Sequence, residues 1–587
     1  MVTGASDDTG GVAAGATAPA RRTTAAAGGS TAAAGGSRPA ADASTAAGGA
    51  STAGGTGPAA RVSGPGTWQA GPDGGLRTRL ALPVALAGGL ALAAAFPPVG
   101  AWPLAAAGPA LLAVALWRRT LRGSLAVGLV FGLAFFVPLL SWLVNVAWYV
   151  WVTLALVEAM IFAVLTAGQR LLLRLRAWPL AVAGWWVAAE AVRARWPYAF
   201  PWGRLAMSQP SAPTARWAAI GGAPLLTFVV ALAGGCLAWL LLAPGHGMVR
   251  RPAARRRGMP ALAFAAAAGL AVGGGLLPVD QATPGGPTAS VAAIQGDVPH
   301  ARNLPDLLRA ATVTQNHANA TETLAAQVAA RSRPAPDVVI WPENSTDLDP
   351  GLNPASYAMI QRAVDAIGRP VLVGAVLQNP LRNAGQLWLP GRGPVAVYIK
   401  RQLVPFGEYI PFRSLLSHLT PLTALQPVDF TAGHRAVVFR LGKIRLGDVI
   451  CYEVGFDGLV SAEVTAGANL LAVQSNDADF ELDGQPGESQ QQVAMARIRA
   501  IESDRSVVYA STTGESALIA PDGSLIAHSG LWRRAVLQAR VPLRSSLTLA
   551  DRVGGWPEYL ITFLVLAALA WATASGVMRR PRSRPGG

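Results

Sequence analysis

Apolar residues fall along this chain in two different patterns. Between Leu80 and Leu277 they form long unbroken runs, and between Thr288 and Val541 they thin into short stretches separated by polar and turn residues. Seven runs in the first region approach the roughly 20 residues that a bilayer core requires. They are Leu80–Phe96, Ala101–Trp117, Gly123–Val144, Trp148–Leu173, Trp178–Trp196, Gly222–Leu242 and Pro260–Leu277, and an eighth spans Tyr559–Val577. The second run is short and flanked by proline, so a re-entrant hairpin with the first is an open alternative for that pair. In the second region "SVAAIQG", "DVVIWPE", "PVLVGAV", "VAVYIK", "AVVFRLG", "IRLGDVIC", "NLLAVQ", "SVVYAS" and "SALIAP" read as strands. Pro354–Ile367 and Glu488–Ser503 have helical periodicity instead. The expected architecture is a bundle of about eight membrane helices carrying one layered α/β domain.

Composition agrees with the first pattern, since 52% of the residues are hydrophobic and 14% charged. The formal charge of +16 would suggest nucleic acid if it covered a soluble surface. From Thr288 to Gly554, however, there are 23 basic and 24 acidic residues, so the excess lies elsewhere and a nucleic-acid partner loses its footing. Arginines instead cluster after alternate runs: Arg118, Arg119 and Arg122; Arg170, Arg174 and Arg176; Arg250, Arg251 and Arg255–Arg257; and Arg579, Arg580, Arg582 and Arg584. Cytoplasmic loops collect such residues. The pattern, with Arg77 and Arg79, predicts a cytoplasmic N-terminus and an α/β domain on the exocytoplasmic face.

The expected domains are therefore a tail at 1–75, a membrane bundle with helices one to seven at 76–280, the α/β domain at 288–545, a last membrane helix at 556–578 and a basic cytoplasmic end at 579–587. The tail is nearly all Ala, Gly, Thr, Ser and Pro, too poor in large apolar side chains to offset the entropy of ordering, and is expected to be disordered. It lacks the compact regions of a signal peptide and is expected to stay attached. The loop "RARWPYAFPWGRLAMSQP" breaks the arginine pattern. It reads either as an interfacial aromatic belt with snorkelling arginines or as a lipid-binding floor beneath the α/β domain. Glu190 and Arg193, three apart, suggest a local ion pair. Glu158 has no evident partner in the sequence.

Three of the strand-like stretches end in a reactive residue. Glu343 follows "DVVIW", Lys400 closes "VAVYI" and Cys451 closes "IRLGDVI". Taken singly, each has an ordinary reading: a solvated turn carboxylate, a surface ammonium, a small core hydrophobe. Brought to one sheet rim they would divide the work of acyl transfer, with the glutamate taking the thiol proton and the lysine stabilising the oxyanion. Composition favours chemistry at Lys400, because the chain has 46 arginines and only two lysines, Lys400 and Lys443. Cys236 lies in an apolar run, so no disulfide with Cys451 is implied.

At this point the sequence resembles the nitrilase-like carbon–nitrogen hydrolases with a Glu-Lys-Cys site, and more narrowly the bacterial apolipoprotein N-acyltransferases. "WPEN", "YIKRQLVPFGEYIPFR", "ICYEVGF", "SND" and "ARIRAIESDRSVVYASTTGESALIAPDG" recur in family order, as does "WWVAAEAVRARWPYAFPWG" in the membrane part. The resemblance implies an αββα sandwich with Cys451 as nucleophile, Glu343 as base and Lys400 as oxyanion donor. It also implies Glu408 as a second carboxylate, or as an ion pair fixing Lys400, and Tyr452 and Glu453 as shaping the acyl and amine pockets. Trp341 and Trp202 join them as supporting residues. Asp479 stands where the family tends to have an aromatic residue, which bears on the shape of one lip loop.

The implied activity is transfer of a fatty acyl chain from a phospholipid to the α-amine of a diacylglyceryl-cysteine apolipoprotein, by a ping-pong thioester route in the bacterial cell membrane. No metal or cofactor is implied, and a monomer is expected. A membrane-anchored amidase or nitrilase using water as acceptor is one alternative. A non-catalytic membrane scaffold for a glycolipid-synthesis enzyme is another.

Overall fold

The computed structural model describes residues 76, 78–242, 265–266, 269–270, 273–277, 286–299, 305–419, 423, 426–478, 480 and 487–578. The expected tail, most of the seventh run, the basic C-terminal end, Arg77 and Asp479 lie outside the described residues.

The apolar region folds as α1 (Thr78–Ala94), α2 (Leu104–Leu116), α3 (Leu121–Leu139), α4 (Trp148–Leu172), α5 (Trp178–Arg193) and α6 (Ala218–Leu241), with a last helix at Trp556–Met578. Four helical stretches among the described residues are long and apolar enough to cross a bilayer: Leu121–Leu139, Trp148–Leu172, Pro213–Leu241 and Trp556–Ala574. The expected eight spans exceed that number. The 17 residues of α1 and 13 of α2 fall short of the ~30 Å core at about 1.5 Å per residue. These two helices pack closely, because a Cβ on Gly108 would meet Leu92 Cβ at 2.9 Å. Arg170 Nη1 donates to Arg119 O at 3.5 Å, so the first two arginine clusters share one end of the bundle.

The α/β domain docks on the other end of α4 and α5. Asn145, just before α4, donates to Phe480 O at 2.7 Å, and Tyr452 Oη donates to Ala199 O in the loop after α5 at 2.6 Å. In that loop Arg193 and Arg204, each 4% exposed, are held in buried ion pairs, whereas Arg195 and Trp196 are exposed. The expected Glu190–Arg193 pair is not formed. Arg193 Nε instead reaches Glu158 at 2.6 Å, while Glu190 accepts from Leu205 N at 2.8 Å and Thr227 Oγ1 at 2.7 Å. The reason is competition. Glu158 is almost fully buried on α4 and needs a cation, whereas Glu190 already has donors from the loop and α6. Arg204 then binds Asp457 of the α/β domain through both terminal nitrogens, at 2.7 and 2.9 Å. The backbone breaks at Gly222, whose φ of 70° favours glycine, and a Cβ there would sit 2.7 Å from Glu502 Oε1. Glu502 also accepts from Ala223 N at 3.3 Å, so the α/β domain caps the restarted α6.

The domain itself contains two six-stranded sheets. The first has the order β12 (Ala535–Pro542), β1 (Thr288–Gln295), β2 (Val338–Ile340), β3 (Val371–Leu377), β4 (Arg382–Leu389) and β5 (Gly393–Ile399). The second has the order β11 (Leu525–His528), β10 (Ala517–Ile519), β9 (Val507–Ser511), β8 (Leu470–Ser475), β7 (Ile444–Ile450) and β6 (Val438–Leu441). In each sheet three parallel strands form the centre, β1-β2-β3 and β7-β8-β9, and antiparallel strands flank them. Buried apolar strands of this kind need cover on both faces. Helices Asp306–Ala329 and Pro354–Ile367 supply it for the first sheet through Ala318, Leu324, Ile360 and Val364. Helices Asp457–Thr465 and Glu488–Ser503 lie on the second, which makes the expected αββα sandwich. Gln474 Nε2 crosses between sheets to Trp341 O at 2.5 Å, and thereby aligns the ends of β8 and β2.

Candidate active site

Cys451 leaves the end of β7 with a φ of 52°, a left-handed conformation that costs a non-glycine residue on the order of 1–3 kcal/mol. It opens a short turn, Cys451–Gly455, whose Glu453 reaches back to accept from Ile450 N at 2.8 Å. The turn points the thiol out of the strand into the rim where β2, β5 and β8 also end. Glu343 lies three residues beyond β2, and its Oε2 accepts from Asn476 N, just past β8, at 3.0 Å. Lys400 follows β5 and is 1% exposed. Its Nζ lies 2.8 Å from Glu343 Oε1 and 3.0 Å from Glu408 Oε1. The expected single sheet rim needs correction: Glu343 and Lys400 end β2 and β5 of the first sheet whereas Cys451 ends β7 of the second, so the site is built between the two sheets, and Glu408 is a second carboxylate paired to the same ammonium.

Electrostatics sets the resting protonation. Burial alone would pull the Lys400 ammonium down, but Glu343, then Glu408 and Cys451, outweigh it and hold its pKa well above the usual lysine value. Burial raises Glu343, and Glu408 adds to the rise while Lys400 opposes it, leaving its proton affinity above that of an ordinary glutamate. Burial is the main physical cause, and the sharing of one ammonium by two carboxylates adds to it. Burial also pushes the Cys451 thiol well up, with Glu343 adding and Lys400 opposing. The site thus rests as a neutral thiol beside a carboxylate with raised proton affinity, which suits proton transfer from one to the other.

The supporting residues fall into two groups. Tyr452 stacks on Trp202, with centroids 6.2 Å apart and planes 12° apart, and Trp202 Nε1 donates to Gln491 at 2.6 Å. These two join the thiol's own turn to the membrane loop. Glu453, expected to shape a substrate pocket, is buried with its carboxylate engaged by protein donors. Both its oxygens are taken, Oε2 by Ile450 N and Tyr398 Oη at 2.8 Å each, Oε1 by Arg401 N at 2.6 Å and Gln402 N at 3.1 Å. It braces the Cys451 turn against the Lys400 turn. Trp341 is fully buried under helix Asp306–Ala329, with Nε1 donating to Thr321 Oγ1 at 2.9 Å.

Three site residues escaped sequence reasoning. Asn383 on β4 donates its Nδ2 to Glu343 Oε1 at 2.6 Å and Glu408 Oε1 at 2.8 Å, bridging the two carboxylates. Nothing in "RNAGQLWL" marks it, because its partners lie 40 and 25 residues away. Asn476 was visible only as part of the "SND" string. Gln492, from helix Glu488–Ser503, places Nε2 at 3.5 Å from Cys451 Sγ, and helical periodicity alone would have assigned it only to a buried face.

The profile of the apolipoprotein N-acyltransferase N-terminal domain matches residues 88–236, and that of the carbon-nitrogen hydrolases matches residues 290–547. An apolipoprotein N-acyltransferase of Mycolicibacterium smegmatis is 38% identical, over 83% of this chain and 84% of the relative. Those of Azotobacter vinelandii and Pseudomonas syringae are 29% and 28% identical, over 86% and 83% of this chain and 96% of each relative. A solved amidase from Nesterenkonia sp. overlaps 45% of this chain and 93% of its own, at 16% identity and a TM-score of 0.33. On the extent and identity of the first of these matches, the chain belongs to the apolipoprotein N-acyltransferase family.

Proposed function

We propose that this chain moves a fatty acyl group from a membrane phospholipid to the N-terminal α-amine of a diacylglyceryl-cysteine apolipoprotein. The observation that carries the reading is the Lys400 ammonium held between Glu343 and Glu408 at the rim that presents Cys451, in a chain of this family. In the first step Glu343 takes the thiol proton as sulfur attacks the ester carbonyl. Lys400 Nζ stabilises the oxyanion, and collapse expels the lysophospholipid alkoxide, which recovers the proton from Glu343. In the second step the apolipoprotein amine attacks the thioester and gives its proton to Glu343. Sulfur then leaves as the thiolate, is reprotonated, and the amide is released.

The same proposal assigns 1–75 to a cytoplasmic tail, 76–280 and 556–578 to the membrane bundle, 288–545 to an exocytoplasmic catalytic domain and 579–587 to a basic cytoplasmic end, in a monomer. The shared end of the Arg119 and Arg170 clusters, opposite the end on which the catalytic domain docks, supports that orientation. Such docking lets both lipid substrates reach the thiol sideways from the outer leaflet. Mass spectrometry of a lipoprotein N-terminus from cells lacking this chain tests the function. The expected product has a free α-amine and lacks one acyl group, and an unchanged, fully acylated N-terminus would overturn the proposal.

A further inference from the structure

Proton transfer to Glu343 and oxyanion capture by Lys400 leave one side chain at the sulfur without a task. Gln492 is 1% exposed and sits behind Cys451. Its Nε2 lies 3.5 Å from Sγ and also donates to Glu488 Oε1, one helical turn earlier. Its Oε1 accepts from Tyr509 Oη at 3.3 Å, while the Ser475 hydroxyl, 3.4 Å away, gives its one proton to Asp477 at 2.8 Å. These partners settle which way the amide faces. Glu488 Oε1 accepts, so the NH2 end faces Glu488, and the Tyr509 hydroxyl donates to the oxygen end. The end that faces Glu488 also faces the sulfur.

As a bare charge, Glu488 opposes a thiolate at Cys451, so its electrostatic effect there is unfavourable. Orientation of the amide is what it contributes in return. An amide donor gains little from a neutral thiol at 3.5 Å but much more from a thiolate, so the contact strengthens as the proton departs.

We propose that Gln492 is a further catalytic residue, donating to the Cys451 thiolate, and that Glu488 is the positioning residue that turns its amide toward the sulfur. The proposal rests on Cys451 being the nucleophile.

The test is the rate of Cys451 alkylation by iodoacetamide in the full-length, detergent-solubilised chain from pH 6 to 10, read by mass spectrometry of the Cys451 peptide. Gln492→Met removes the donor. Gln492→Asn keeps an amide but withdraws it from the sulfur, and serves if the Met variant fails to fold. Because burial holds the thiol well above its usual range, this pH window lies on the rising limb, and each variant is expected to slow alkylation roughly tenfold across it. A residue that only packs would leave the profile in place, and an unchanged profile in a folded variant overturns the proposal. Glu488→Leu separates charge from orientation: loss of repulsion alone would speed alkylation, whereas a turned amide slows it. Faster alkylation overturns the role of Glu488. Alkylation reports the thiol whether or not acyl transfer occurs, so an acyl-enzyme formed elsewhere would overturn the nucleophile assignment and leave these profiles readable.

Discussion

Replacing Lys400 by arginine separates catalysis from ion pairing, and Lys443 provides the internal control. Lys400→Arg keeps the charge that Glu343 and Glu408 require, so the pair is not stranded and folding should survive. The space around Nζ is narrow: two carboxylate oxygens lie within 3.0 Å, and Asn383 Nδ2 contacts the same two oxygens. A planar guanidinium there satisfies the carboxylates but extends past the point where a compact ammonium meets the oxyanion. Losing one oxyanion donor costs about 10²–10³ in rate, or about 3–4 kcal/mol of barrier. Lys443 is half-exposed and only 3.5 Å from Asp337, so Lys443→Arg should lie within experimental error of the parent. The assay is the single-turnover rate of acyl-enzyme formation with phospholipid, beside the thermal midpoint of each variant. Equal acylation rates in the two variants would refute the oxyanion role and leave Lys400 as a structural counter-ion.

Three further perturbations follow from the buried polar groups. His317 is fully buried and its pKa is pushed down to about 4, chiefly by burial. It therefore folds neutral, and about 3 kcal/mol of stability present above pH 6.5 should be lost as pH falls toward 4. His317→Leu should flatten that part of the pH dependence in thermal melts, and an unchanged slope would contradict it. Asp448 is buried between the sheets with no close side-chain donor among the described residues, and burial, then Glu453 and Glu463, raises its pKa well above the usual value against a weaker contribution from the Val449 backbone. The folded state holds a proton that the unfolded state releases, so Asp448→Asn should be more stable than the parent at pH 8, with the gap closing toward pH 4. A variant no more stable at pH 8 would count against this. Glu158→Gln leaves Arg193 buried beside a neutral group and should cost about 3–5 kcal/mol, read as lower folded yield and melting temperature in detergent. A parent-like melt would show that the pair is dispensable.

Much of this was legible from local pattern, because β-branched runs such as "DVVIW" and "IRLGDVI" are the central parallel strands and their reactive ends follow directly. What escaped was set by contacts between distant parts of the chain. The strand Arg382–Leu389 has too little apolar character to announce itself, since Asn383 serves the site and Gly385 must stay small where Asp448 and Gln474 cross from the other sheet. The strand Ala535–Pro542 is half-exposed and carries Arg540, and the helix Asp306–Ala329 is too rich in Thr and Asn for a clear apolar stripe. In the membrane bundle, the spacing of Glu190 and Arg193 suggested a neighbour, but burial of Glu158 decided the pairing. Glu453 followed the nucleophile in sequence, yet backbone donors from the Lys400 turn claimed its carboxylate.

The central claim is that Cys451 carries the acyl group. Purified full-length protein incubated with phospholipid alone should gain one acyl mass, which hydroxylamine removes and which maps to the Cys451 peptide. Cys451→Ala should gain none, and Cys236→Ala should match the parent. An acyl adduct that persists in Cys451→Ala, or one that resists hydroxylamine, would contradict the thioester.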